Sequence, residues 1–164
     1  MTSVLQHPVT DPVEMHRRYW PENIDIATVA LIFALHRARE AVIAPSREVW
    51  SRHGLTSAEF DVLATLRRSP APRELTPSEI RSLLLVTSGG LTKIMAGLEA
   101  RGLVARSRSH ADQRIRPVRL TPSGKRLVEA AMAELMARTP QRIGRSLTAG
   151  EIAKLTELLT KLAD

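Results

Sequence analysis

Apolar residues recur at three- and four-residue steps over most of this chain, and the pattern lapses over only one short stretch. Residues 24–53 sustain a long helical pattern that Pro45 kinks or interrupts, because proline lacks an N–H and crowds the preceding turn. Leu91, Ile94, Met95 and Leu98 form one apolar face on a helix starting at Thr87 or Ser88 and ending near Arg101. Leu127, Ala131 and Leu135 make a similar stripe further on, and Ile152, Leu155, Leu159 and Leu162 make the last one. Between Gly102 and Thr121 the period changes. Residues 103–107 and 116–120 predict two short strands around a charged loop, and Pro117 restricts the second strand to an edge.

Three hexads share one plan: LTSAEF at 55–60, LTPSEI at 75–80 and LTAGEI at 147–152. In each, the Thr hydroxyl can cap a helix while the Glu three residues on reaches back to the Thr N–H. The residues after each hexad differ, so the hexads are start signals and not a repeat. Thr121-Pro122 opens another helix, and Pro140 ends or bends it. Gly54 and Gly102 stand just past helix ends. The predicted order is four helices, a hairpin and two more helices. The fold class is therefore mainly α with a small β-hairpin wing, a winged helix-turn-helix between N- and C-terminal dimerisation helices. The expected divisions are an N-terminal segment and long helix at 1–53, a winged domain at 54–121 and C-terminal helices at 122–164.

Composition narrows the function. The chain has 164 residues, of which 43 % are apolar and only 3 % aromatic, a filling of Leu and Ala that favours packed helices. It has no cysteine, which excludes disulfides, thiol chemistry and cysteine-zinc sites. No apolar run reaches membrane-spanning length, and the first residues lack the layout of a secretion signal, so the expected location is the cytoplasm. A Gly-rich phosphate loop after a strand and a G-x-S-x-G elbow are both absent, so an enzyme is not expected. His36 and Glu40 are four apart on a helix but lack a third ligand; neither metal nor cofactor is expected.

The formal net charge is +7, which suits a polyanionic partner, and its placement is sharper than its size. Residues 101–119 hold six arginines and one acid, Asp112, where an even spread of the 24 basic residues would give about three. Arginine in a narrow minor groove meets concentrated negative potential. Arg106, Arg108, Arg114 and Arg116 are thus candidate DNA contacts, with Asp112 placed to hold the Arg114 guanidinium. The alternative is a solvated hairpin tip. On the preceding helix, Ser88, Gly89, Thr92 and Lys93 lie away from the apolar face in the N-terminal half, the end that reads base edges. The free N–H groups of its first turn suit a phosphate oxygen. Gly89-Gly90 either lets the backbone approach the groove or serves close packing and fraying.

The stretches LTSAEFDVLATL, TSGGLTKIMAGLEARGLVAR and DQRIRPVRLTPSGKRL resemble the MarR family of regulators, from about residue 24 to the C-terminus. The Asp112-x-Arg114…Leu120-Thr121 pattern is the most specific part. The resemblance implies a homodimer with intertwined terminal helices, a recognition helix in the major groove and a wing arginine in the minor groove. By motif match those DNA roles fall on Thr87, Ser88, Thr92, Lys93 and Arg114, with Asp112 in support. The candidate dimer interface is Ile24, Leu31, Leu135, Ile152, Leu155, Leu159 and Leu162. The expected function is a sequence-specific regulator of double-stranded DNA, a repressor before an activator, acting on a pseudo-palindromic operator and released by a purine or aromatic acid. The alternatives are a protein-interaction scaffold and a sequence-neutral architectural DNA binder.

The chain also resembles a urate-responsive branch of that family, which carries an extra N-terminal helix with a Trp. The matching ligand positions are Trp20, Asp61 and Arg106. There Trp would cover a flat ring and Arg would pair with an anion. Asp, repelled by that anion, would move the DNA-reading helix. Ile94 stands where the branch has a further arginine, which counts against urate itself. The alternatives are that Trp20 packs the first helix, Asp61 pairs with a surface arginine and Arg106 contacts phosphate.

Overall fold

A computed structural model describes residues 11–22, 25–84, 88–107 and 116–163. Five expected site residues, Ile24, Thr87, Arg108, Asp112 and Arg114, lie outside them, as does the side chain of Ser88. The elements are α1 (Pro12–Tyr19), α2 (Ile26–Arg52), α3 (Ser57–Arg68), β1 (Glu74–Leu75), α4 (Pro77–Leu84), α5 (Ser88–Ala100), β2 (Val104–Arg106), β3 (Val118–Leu120), α6 (Pro122–Gly144) and α7 (Ala149–Ala163). The chain divides into two units, Met1–Pro45 and Ser46–Asp164. The division falls at the proline inside α2. Residues 54–121 and 122–164 share the second unit.

In the first unit, Asp11 caps α1 by accepting from the Val13 N–H at 3.0 Å, and Pro12 occupies the first turn. Asp25 caps α2: it accepts from the Ala27 N–H at 3.0 Å and the Thr28 hydroxyl at 2.6 Å. These bonds, the Thr28 one foremost, hold its carboxyl below the usual range.

All three capping boxes form in the second unit. The Glu59 carboxylate accepts from the Thr56 N–H at 2.8 Å, Glu79 from Thr76 at 2.7 Å and Glu151 from Thr148 at 2.8 Å. Thr121 caps α6 by accepting from the Gly124 N–H at 3.0 Å. Gly54 and Gly102 take φ of +63° at the ends of α2 and α5, the left-handed conformation that favours glycine. Pro140 lies within α6, which continues to Gly144.

Helix α3 is the centre of this unit and packs against α4, α5, α6 and β3. Val62, Leu63 and Leu66 of α3 are fully buried with Ile80, Leu98, Val118 and Val128, one from each surrounding element. Burial on this scale contributes about 1.5–3 kcal/mol per large aliphatic side chain. Gly124 shows how tightly α6 joins: a Cβ there would stand 2.0 Å from the Leu103 carbonyl oxygen.

Two expectations need correction. Strand β3 is the central strand of a three-stranded antiparallel sheet, in the order β1-β3-β2, and not an edge. Pro117 sits one residue short of the ladder, and its carbonyl accepts from the Ser107 N–H at 2.8 Å, so no donor is missing within the strand. The unforeseen two-residue β1 covers the other side of β3, pairing Glu74 with Arg119 and Leu75 with Val118. Leu135, expected at a dimer interface, is instead 6 % exposed within the single chain and belongs to its core. Along α7, by contrast, Ile152, Leu155, Leu158, Leu159 and Leu162 are all exposed. Leu31 of α2 is also exposed. No single helix among the described residues is long and apolar enough to cross a membrane.

Candidate nucleic-acid interface

Helix α4 and residues Gly89–Ala100 of α5 are bent relative to one another by 117°, within the range of a helix-turn-helix pair. Helix α5 has two distinct faces. Leu91, Met95 and Leu98 are buried against the core and Ile94 is half-buried, as the periodicity predicted. Gly89, Thr92 and Lys93 are exposed on the N-terminal half. A Cβ at Gly89 would meet nothing within 4 Å among the described residues, so packing does not require glycine there. Its missing side chain leaves the helix backbone open to approach from outside.

The arginines of 101–119 divide by partner. Arg101 donates from Nη1 to Glu59 at 3.0 Å and from Nη2 to the Gly54 carbonyl at 2.8 Å. Arg106 Nε lies 2.9 Å from Glu99 Oε1, and Arg119 Nε lies 3.9 Å from Glu74 Oε1. Arg116 is exposed. Much of the positive charge counted along the sequence is thus met by glutamates of α3, α5 and β1. The sequence count could not show this, because those acids lie outside the 101–119 window.

Of the three expected ligand residues, Trp20 lies in the first unit and Asp61 and Arg106 lie in the second. Trp20 is exposed and stacks on His16 with ring centroids 5.0 Å apart. Partial burial pushes the Asp61 carboxyl up, while the charge of Arg68 pulls it back. Arg106 lines a small cleft of about 160 Å³ with Pro77, Arg81, Leu91, Thr92 and Met95.

A larger groove, which sequence reasoning missed, runs between α3 and α6. It measures about 440 Å³ and is lined by Ala64, Arg67, Arg68, Val128, Glu129, Met132 and Ala133. Arg67 Nε donates to Glu129 Oε1 at 2.6 Å, and this bond foremost holds the Glu129 carboxyl below the usual range. Arg68 donates to the Thr65 hydroxyl at 3.0 Å. The arrangement offers an apolar lining bordered by the Arg67–Glu129 ion pair and the Arg68 guanidinium. Arg67 and Glu129 stand 62 residues apart, beyond the reach of any local motif.

A helix pair bent at this angle, with a wing of antiparallel strands directly after it, defines a winged helix-turn-helix DNA-binding regulator. Residues 53–115 match the MarR family model. The chain is 32 % identical over 126 residues to the transcriptional regulator PecS of Dickeya dadantii (strain 3937), covering 77 % of this chain and 75 % of that one. It is also similar to solved structures. A MarR variant from E. coli complexed with operator DNA has a TM-score of 0.75 at 28 % identity, over 84 % of this chain and 96 % of that one. NadR in complex with 4-hydroxyphenylacetate has a TM-score of 0.66 at 26 % identity, over 80 % of this chain and 91 % of that one. This chain belongs to the MarR family of transcription regulators.

Proposed function

We propose that this protein is a homodimeric repressor that binds a pseudo-palindromic operator, works in the cytoplasm and is released by a small anionic aromatic ligand. The observation that carries the reading is α5, whose apolar face is buried while Gly89, Thr92 and Lys93 stand exposed at its N-terminal half. That end meets base edges in a helix-turn-helix. The segment between β2 and β3 carries Arg108 and Arg114, of which we assign Arg114 to the minor groove with Asp112 supporting its guanidinium. The exposed leucines of α7 supply an apolar seam that a second copy would cover, and the operator complex of the related MarR variant supports the DNA role.

The groove between α3 and α6 is our candidate ligand site. Its volume lies in the range of small-molecule pockets, and Arg68 suits a carboxylate, while Arg67 is already bonded to Glu129. NadR, a structural neighbour, binds 4-hydroxyphenylacetate. Because α3 packs against both α6 and α5, a ligand that wedges the groove would shift α5 and alter the separation of the two recognition helices.

The test is a fluorescence-anisotropy titration with a duplex from the gene's own upstream region, against a scrambled duplex, at about 150 mM salt. Preference for the first duplex, lost on adding 4-hydroxyphenylacetate or a related aromatic acid, is the expected result. Equal and steeply salt-dependent binding to both duplexes would replace the reading with architectural DNA binding. Binding to neither would replace it with a scaffold.

A further inference from the structure

Arg101 stands between the element expected to read DNA and the rest of the second unit. It directly follows α5, three residues before β2 begins, and its guanidinium reaches back across the fold to two separate acceptors. Nη1 donates to Glu59 Oε1 at 3.0 Å and Nη2 donates to the Gly54 carbonyl at 2.8 Å. Glu59 is itself held: its other oxygen accepts from the Thr56 N–H at 2.8 Å and the Thr56 hydroxyl at 3.0 Å. One carboxylate therefore starts α3 with one oxygen and fastens the end of α5 with the other. The Glu59 side chain is 15 % exposed, which shields this pair more than an ordinary surface pair. A Cβ at Gly54 would meet Arg101 Nη2 at 3.8 Å, an ordinary contact, so the bond to the Gly54 carbonyl does not depend on the missing side chain; the φ of +63° is what favours glycine there.

We infer that Arg101 is a positioning residue for DNA reading: it fixes the C-terminal end of α5 to the start of α3, so that the opposite end keeps one orientation. The inference rests on the proposal that α5 reads DNA. A helix that is loosely seated presents its reading end correctly only part of the time, and apparent affinity falls by that fraction. Contacts to phosphate alone depend far less on such seating.

The experiment uses the full chain and its Arg101→Ala, Arg101→Lys and Glu59→Gln variants. Each is titrated with the upstream and scrambled duplexes over a salt series, and hydrogen exchange is followed in the free protein. For Arg101→Ala the upstream duplex should be bound about tenfold more weakly, with the scrambled duplex and the salt slope unchanged. Exchange should quicken in α5 while α6 keeps its protection. Lysine cannot span both acceptors, so Arg101→Lys should restore little of the preference. Glu59→Gln, which can still cap α3, should weaken binding in the same direction and by less. Equal weakening on both duplexes, with the salt slope reduced by about one and rescue by lysine, would make Arg101 a phosphate contact and overturn the inference. Unchanged α5 exchange in Arg101→Ala would also overturn it. If the wild-type chain fails to discriminate the duplexes, the DNA reading falls, and the exchange result alone decides whether Arg101 seats α5.

Discussion

Helices α5 and α7 carry apolar stripes of the same period, yet their leucines have opposite fates. Leu91 and Leu98 of α5 are 4 % and 0 % exposed, while Leu155 and Leu162 of α7 are 44 % and 59 % exposed. Period places a stripe on one face of a helix and is silent about what covers that face. For α5 the cover is α3, α4 and β2, already present in the same chain. For α7 it is the second copy that we propose. The first stripe is therefore a property of the monomer, and the second of an equilibrium between chains.

The largest test of this contrast is Leu98→Ala, which opens a cavity in a fully buried site. It should cost about 2–5 kcal/mol in denaturant unfolding, at any protein concentration. Leu159→Lys on α7 should leave the fold of the second unit intact and dissociate the dimer, as sedimentation would show. A dimer of unchanged strength would sink the assignment of that face. The helix caps give a finer version. Thr76→Ala at α4 should lower stability by about 1 kcal/mol whatever the concentration, whereas the equivalent Thr148→Ala should act mainly on dimer strength. Equal effects of both on dimer strength would erase the distinction.

The smallest expected effects depend on pH. The Thr caps hold the Glu79 and Glu151 carboxyls below the ordinary 4.5, so each favours the folded state above that value, and the contribution is lost as pH falls through the lowered folded one. Asp61 runs the other way. Burial raises its carboxyl above 3.8, so its charged form opposes folding at neutral pH. Asp61→Asn should therefore raise the thermal midpoint slightly near pH 7, and the gain should vanish once the solution falls below 3.8, where the wild-type group is protonated in both states.

The features legible in the sequence were local. The capping hexads, Gly54, Gly102 and the buried face of α5 depend on residues within a few positions of one another, and all took the expected form. The features missed depend on distant pairing. Strand β1 is two residues long and exists only because β3 lies beside it, 43 residues on from Leu75 to Val118. Leu135 shows the same stripe whether its cover is its own chain or another, and Pro117 marks an edge only if it falls inside the strand. The basic count over the wing was correct as a count. Its meaning changed because Glu59, Glu74 and Glu99 reach three of those arginines from outside the window. The groove between α3 and α6 had no signal at all, since neither helix alone shows a concavity.

Gly124 has a bearing on how this protein tolerates change. With the Leu103 carbonyl oxygen 2.0 Å from where a Cβ would lie, every other amino acid pushes the start of α6 away from the strand that leads into the wing. In a library that randomises residues 123–125, exposed Ser123 and Lys125 should accept many replacements, and position 124 should return a single letter. The space in which this regulator can acquire a new ligand is bounded accordingly. Arg68, Met132 and Ala133 along the groove can vary, but buried Ala64 and Val128 and the joint that sets where α6 begins cannot.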